Sequence, residues 1–216
     1  IKESLRKELA LTLSTNTEAL KRWIKGRQSD IETFAAIPEV RNAILSLAEK
    51  PGNTEHLLNA EETRKLREIL SPIVERYRYL GFVVFDRTGL QIAALFDHIV
   101  GLRDITSQSD FVRRALRGET VISLPFLDKS PLPDRDHEEL KTNRPTMFMA
   151  APVRNTKGEV VAALAFRLQP ELQFTRIMEA SRIGNTVETY VFNAEGLMLS
   201  DSRFNQQLRD LGVIPN

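Results

Sequence analysis

A chain of 216 residues that is 42% hydrophobic and 27% charged has ordinary globular make-up and is long enough to bury a real core. Thirty basic residues against 29 acidic ones leave a net charge of +1, which gives no electrostatic case for nucleic acid or an anionic membrane. Cysteine is absent, so disulfides and thiolate metal sites are excluded, a state that fits the cytosol and the bacterial periplasm alike.

The chain opens IKESLRKELAL, without Met and without a signal peptide, and it contains no apolar run of the roughly 18 residues a membrane span needs. The expectation is a piece of a longer protein whose membrane anchors lie outside it. From Leu5 to Leu47 apolar residues recur at helical spacing, at Leu9, Leu13, Leu20, Trp23, Ile24, Ile31 and Phe34. Lys21, Lys25, Arg27, Asp30 and Glu32 fall between them as a solvated face. Pro38 is expected to kink this helix or to begin a new one, and PGN at 51–53 to stop it. A further helix is predicted from about Ala60 to Tyr77, with Leu66, Ile69, Leu70, Ile73 and Val74 inward and a local bend at Pro72. So much helix before any strand suits a stalk or a dimer seam; the plainer alternative is a cover for one face of a sheet.

At Gly81 the period changes to two. GFVVFDRTGLQIAAL, MFMAAPVRNTKGEVVAALAFRL and TYVFNAEGLMLS each read as strand, turn, strand. The turns DRTG (86–89), NTKG (155–158) and NAEG (193–196) all place Asp or Asn first and Gly fourth. An Asp or Asn there can accept from its own backbone, and Gly tolerates positive φ. Between the first two hairpins, SQSDFVRRALRGE is a short helix capped by Ser109 or Asp110 and ended by Gly118, and TVISLPF (120–126) is a strand. Residues 125–145 follow, with four prolines and nine charged residues, far longer than a hairpin connection. Such a loop is functional or disordered. The fold class is therefore α+β: five antiparallel strands, with helix and loop over one face and the long N-terminal helices behind the other.

Catalytic motifs are lacking. There is no phosphate loop and no G-x-G-x-x-G, and His56, His98 and His137 stand alone. Asp134, Asp136, His137 and Glu139 in DRDHEE have the donors for a cation but read first as a solvated charge run, so no metal and no cofactor are expected. Ser200 and Ser202 have no histidine near in sequence, and Asp201 and Arg203 are expected to fix a turn.

GFVVFDRTG, RPTMFMAAPVRNTKGEVVAALAFRLQPE and FTRI…GNTVETYVFNAEGLMLSDSRF, in this order after a helical N-terminus, resemble an extracytoplasmic Cache domain, the PAS-like sensor module of bacterial receptors. The last stretch is similar to the opening of a second, membrane-proximal Cache module, though Val187 stands where relatives carry Gly in G-x-T-G-E-T-Y. The resemblance implies a helical stalk or dimerisation segment at 1–78, a membrane-distal Cache domain at 79–180 and the beginning of a truncated second module at 181–216. A lone hairpin is marginal in water, so residues 186–216 are expected to pack on the first domain, to swap, or to be poorly ordered.

The resemblance also implies a small ligand between the sheet and its caps. Amino-acid-sensing relatives carry Arg-x-Trp-Tyr before the helix, Tyr-x-Asp on the third strand and an Asp near the end of the fifth. Here Gln108-Ser109-Asp110-Phe111 lacks the Arg and Trp, Phe126-Leu127-Asp128 keeps the Asp, and Arg167 reverses the last charge. Such departures argue against a free α-amino acid. With Arg144 and Arg167 facing the pocket, a small carboxylate would suit them. Phe111, Phe126, Phe148 and Met149 are the wall candidates, with some of them core, because Met147 and Met149 share one strand face and Phe148 the other. Which face carries the pocket stays open at this point.

The implied function is ligand sensing without chemistry. A periplasmic domain of an inner-membrane receptor (histidine kinase, chemoreceptor or cyclic-nucleotide enzyme) would dimerise through its N-terminal helices and relay binding by helix movement. The alternatives are a ligand-free structural spacer and a hydrolase-like enzyme.

Overall fold

The computed structural model describes the chain except residues 1, 50–52, 104–109, 129–131, 134–139, 142–143, 180–188, 197, 201 and 214–216, and at 5, 132, 133, 140, 141, 144 and 179 it describes the backbone alone. The chain divides into two compact units, Ile24–Gln169 and a second built from Ile1–Trp23 with Pro170–Asn216.

Helix α1 spans Lys2–Ala36 and α2 spans Pro38–Glu49, so Pro38 begins a new helix. Proline suits that first position, where its missing N–H would have had no intrahelical partner. Sequence reading missed the six-residue α3 (Thr54–Asn59); Asn53, the last residue of the expected stop signal, caps it, its side chain accepting from the His56 N–H at 2.9 Å, while positions 51 and 52 fall outside the described residues. Helix α4 (Glu61–Tyr77) accommodates Pro72 and ends at Arg78 in the left-handed conformation, φ 56°. Leu66, Leu70 and Val74 are buried, whereas Ile69 and Ile73 lie at the half-exposed edge of the stripe.

The strands are β1 (Gly81–Asp86), β2 (Gln91–Ala94), β3 (Val121–Ile122), β4 (Phe126–Asp128), β5 (Leu132–Pro133), β6 (Leu140–Lys141), β7 (Arg144–Arg154) and β8 (Val160–Leu168). The main sheet runs β2-β1-β8-β7-β3, with β4 also paired to β7, and every pairing is antiparallel. The single strand expected at 120–126 is thus two strands, and the sheet has six strands rather than five. Pro125 breaks the strand because it cannot donate to a ladder. Ser123 keeps the broken piece on β7, its N–H donating to the Phe148 carbonyl at 2.8 Å and its Oγ accepting from the Phe148 N–H at 2.8 Å. Within the predicted long loop, β5 and β6 pair with each other as a small ribbon.

The turns form as their chemistry requires. Asp86 Oδ1 accepts from the backbone N–H groups of Thr88 and Leu90 at 2.8 and 2.9 Å, and Asn155 Oδ1 from those of Lys157 and Glu159 at 2.9 and 3.0 Å. Gly89 and Gly158 close these turns at φ 79° and 81°, values that L side chains rarely adopt.

Cross-strand register sorts the sheet into two faces. Met149 lies opposite Phe166, and Ala151 opposite Leu164; Phe148 lies opposite Arg167, and Ala150 opposite Ala165. Opposed residues share a face, so Phe166 and Met149 look one way and Arg167 and Phe148 the other. The Phe166 face is covered by helices. Its ring meets Phe34 of α1 at 5.5 Å, Tyr79 at 5.4 Å and Phe82 at 6.4 Å, and Tyr77 stacks on Tyr79 at 5.4 Å. Burial of a ring of this size contributes about 1.5–3 kcal/mol, and each favourable aromatic pair adds about 0.5–1.5 kcal/mol. Tyr79 is fully buried, and burial pushes its phenol up to about 12 despite Arg27, whose Nη1 donates to the Tyr79 hydroxyl at 3.1 Å.

In the second unit, helix α6 (Pro170–Glu179) and helix α7 (Asn205–Asp210) flank the NAEG turn. Gly196 closes it at φ 82°, its N–H donating to the Asn193 carbonyl at 3.1 Å. Among the described residues the expected hairpin is reduced to one bridge, Phe192 with Met198, and a Leu199 N–H bond to Val191 at 2.7 Å. Asn16 of α1, almost wholly buried, donates from Nδ2 to Thr189 Oγ1 at 3.1 Å.

Candidate functional site

The face opposite the long helices carries the unusual chemistry. Helix α5 (Asp110–Leu116) lies over it, ended by Gly118 at φ 100°; position 109, one of its two expected caps, falls outside the described residues. The floor is low. Ala150, Ala163 and Ala165 are all fully buried, and Gly81 continues the same row in register with Arg167.

Four aromatic rings gather over that floor. Phe111 of α5 stacks on Phe148 with centroids 4.6 Å apart and planes within 8°. Phe126 of β4 stacks on the same ring at 6.0 Å, and Phe85 meets Phe111 edge-on at 6.2 Å. Beside them is Arg167, 5% exposed. Its Nε donates to the Thr146 hydroxyl at 3.0 Å, its Nη2 sits 3.1 Å from Asp128 Oδ2, and its guanidinium carbon lies 5.9 Å from the Phe148 centroid. The sequence produces this locally through period two. Thr146 and Phe148 share a β7 face, Phe126 pairs with Thr146, and Asp128 pairs with Arg144, so the acid arrives beside the guanidinium.

A guanidinium this deep needs a partner, since an isolated charge in an apolar interior is strongly disfavoured. Asp128, whose side chain is 15% exposed against 6% for Arg167, supplies it. The arrangement can grip a planar anion, because a guanidinium presents its donors in a fixed fork, and the Phe148 face adds a cation–π contact.

Of the residues singled out from sequence, Phe111, Phe126, Asp128, Phe148 and Arg167 come together here. Met149 does not. It is fully buried on the helix-covered face, opposite Phe166 and Ile122, and belongs to the core. The Arg144 backbone pairs with Asp128, and its side chain falls outside the described residues. So do Asp134, Asp136, His137 and Glu139 of the charged run, and Asp201. Sequence reasoning missed Thr146, a fully buried hydroxyl that orients the guanidinium, and Phe85. Thr146 could have been found as the polar residue two positions before Phe148 on the same strand face.

Elsewhere, a shallow groove of about 380 Å³ opens at the far end of β7 between Glu32, Arg41, Thr120 and Arg154. Its charged residues are exposed or half-exposed. Arg41 donates there to the Arg154 carbonyl at 3.0 Å, and Arg154 to the carbonyls of Gly158 and Gly118 at 3.0 and 3.3 Å. Arg167, buried and hydrogen-bonded, is a stronger candidate for a site than this shallow depression. Ser200 and Ser202 serve the backbone, accepting from the N–H groups of Val191 and Phe204 at 3.0 and 3.1 Å. Among the described residues no three histidine or carboxylate side chains converge as a cation site, and no helix is long and apolar enough to cross a membrane.

No protein-family model and no curated protein sequence matches the chain. Solved structures do. The sensor domain of the V. cholerae histidine kinase DctB superposes with a TM-score of 0.59 at 12% identity, over 97% of this chain and 74% of that one. The ligand-binding domain of the Pseudomonas fluorescens chemoreceptor CtaA, in complex with L-serine, gives 0.57 at 16% identity, over 94% and 74%. An extracellular ligand-binding receptor from Desulfohalobium retbaense gives 0.50 at 15% identity, covering 97% of this chain and 34% of that one. At such identities the likeness is one of fold: the chain has the mixed helix-and-sheet fold of Cache-type ligand-binding sensor domains.

Proposed function

We propose that the chain is the extracytoplasmic, periplasmic sensing part of a bacterial inner-membrane signal-transduction receptor. It binds a small organic anion on the α5 face of its sheet and carries out no catalysis. The observation that carries this reading is Arg167, a nearly fully buried guanidinium braced by Thr146 and walled by Phe148. An internal cation on a floor of alanines has little structural purpose that an apolar side chain would not serve as well. Phe111, Phe126 and Phe148 form the walls and Asp128 the polar rim, with Arg144 on the neighbouring strand position. The ligand biases two arrangements of the flap at 125–145, and residues 1–78 form the seam of a homodimer along which the shift travels as helix movement. A ligand can do this only through different affinities for the two arrangements.

A thermal-shift screen with organic acids, amino acids (serine among them) and amines tests the reading. A ligand at one hundred times its dissociation constant stabilises by about 2.7 kcal/mol. The expected hits are carboxylates whose shift disappears in Arg167→Met. No hit, or hits indifferent to Arg167, would defeat the proposal. One observation favours a second reading, a ligand-free spacer: Phe111 and Phe126 both stack on Phe148 and so fill part of the face themselves. That reading predicts an empty screen and an unaltered dimer.

A further inference from the structure

Arg167 is held from two sides by different elements. Thr146, on the same sheet as Arg167, takes the Nε hydrogen at 3.0 Å; Asp128, on β4, faces Nη2 at 3.1 Å. The first contact lies within the β7–β8 pair and does not involve β4. β4 is only three residues long and follows directly on Pro125; its middle residue, Leu127, is 56% exposed, and its two inward residues are Phe126 and Asp128. Of the charged pair, Asp128 is the partner nearer to solvent.

We infer that Asp128 is a built-in competitor for the ligand. Its carboxylate occupies Arg167 in the ligand-free protein, and an incoming carboxylate displaces it and so releases β4 from the sheet. The inference rests on the sensing reading above. Two carboxylates on one buried guanidinium would leave a net negative charge where solvation is poor, so ligand and Asp128 exclude each other. Exclusion gives the site two discrete states that differ in which carboxylate sits on Arg167, the differential interaction a ligand needs in order to shift a population. It also converts occupancy into strand movement, because the displaced acid is anchored to the backbone of β4.

Acetate is the probe, since it reproduces the Asp128 side chain beyond its Cα. Its affinity is measured by thermal shift against chloride at equal ionic strength, in the wild type, Asp128→Ala, Asp128→Asn and the double variant Asp128→Ala with Arg167→Met. The inference expects Asp128→Ala to bind acetate at least tenfold more tightly than the wild type, Asp128→Asn to fall between them, and the double variant to show no acetate-specific shift. Equal or weaker binding in Asp128→Ala than in the wild type, or a shift that survives loss of Arg167, overturns it. Should Asp128→Ala fail to fold alone, refolding yield in acetate against chloride gives the same discrimination, with no acetate advantage counting against the inference. The two readings fail separately. An empty screen on the wild type with acetate rescue intact sinks the sensing reading and supports the seat on Arg167. A carboxylate hit that is lost in Arg167→Met, together with acetate binding no tighter in Asp128→Ala than in the wild type, does the reverse.

Discussion

Removing Asp128 should cost far more than removing both members of its pair. At 3.1 Å and an effective dielectric near 20, the gross attraction between the charges is about 5 kcal/mol, most of it offset by the desolvation of both. Asp128→Ala forfeits the attraction and leaves the 5%-exposed guanidinium buried without it, a penalty of about 3–5 kcal/mol. The exposure of Asp128, 15%, lets water take part of its place, so the lower end of that range applies. For a chain of 216 residues, about 3 kcal/mol lowers the melting midpoint by roughly 6–12 °C. Replacing both residues, as Asp128→Leu with Arg167→Met, removes the charges together and should return the chain to within about 1 kcal/mol of the wild type. Urea unfolding of the two single variants and the double variant, read as a double-mutant cycle, gives the coupling directly. A loss below about 1 kcal/mol in Asp128→Ala, or strict additivity, would show the pair to be solvated and would refute the argument that a buried charge defines the site.

Tyr79 predicts an alkaline limit to stability. Its phenol is raised by burial to about 12 against about 10 unfolded, so its contribution is complete below pH 10 and is lost as pH rises through 12, a fall on the order of 2–3 kcal/mol. Tyr79→Phe should flatten that part of the stability–pH profile, and an unchanged slope would mean that other groups set it. Gly101→Ala should destabilise by about 1–3 kcal/mol: the backbone there is at φ 85°, and a Cβ would run into the Thr54 hydroxyl at the start of α3. A neutral result in chemical denaturation would show that α3 yields to it.

Local chemistry was legible in the sequence and long-range chemistry was not. Asp86 and Asn155 each make their turn with residues two and four positions on, so a run of five letters sufficed to foresee it. Pro38 likewise offered a helix start, beside a kink, through its own missing N–H, and the start is what forms. The identity of the faces was different. Period two says that Phe148 and Met149 point apart, but only the docking of Phe34, Tyr77 and Tyr79 around Phe166 decides which of them faces the helices. The break at Pro125 was visible as a letter, yet that both halves return to the same strand depends on β7, and no nearby residue encodes it. Arg167 was picked out as a reversed charge. That its partner would be Asp128, on a different strand, follows from two separate pairings to β7.

β7 is eleven residues long and meets β8 along one side and β3 and β4 in succession along the other. At about 3.3 Å per residue it reaches some 36 Å, the full breadth of a small domain. The flanking strands can fray one at a time without disturbing the rest, but β7 can be released only when all three partners let go. Its amide protons should therefore be the last to exchange with deuterated water, at a rate set by global unfolding, while those of β4 exchange early by local opening.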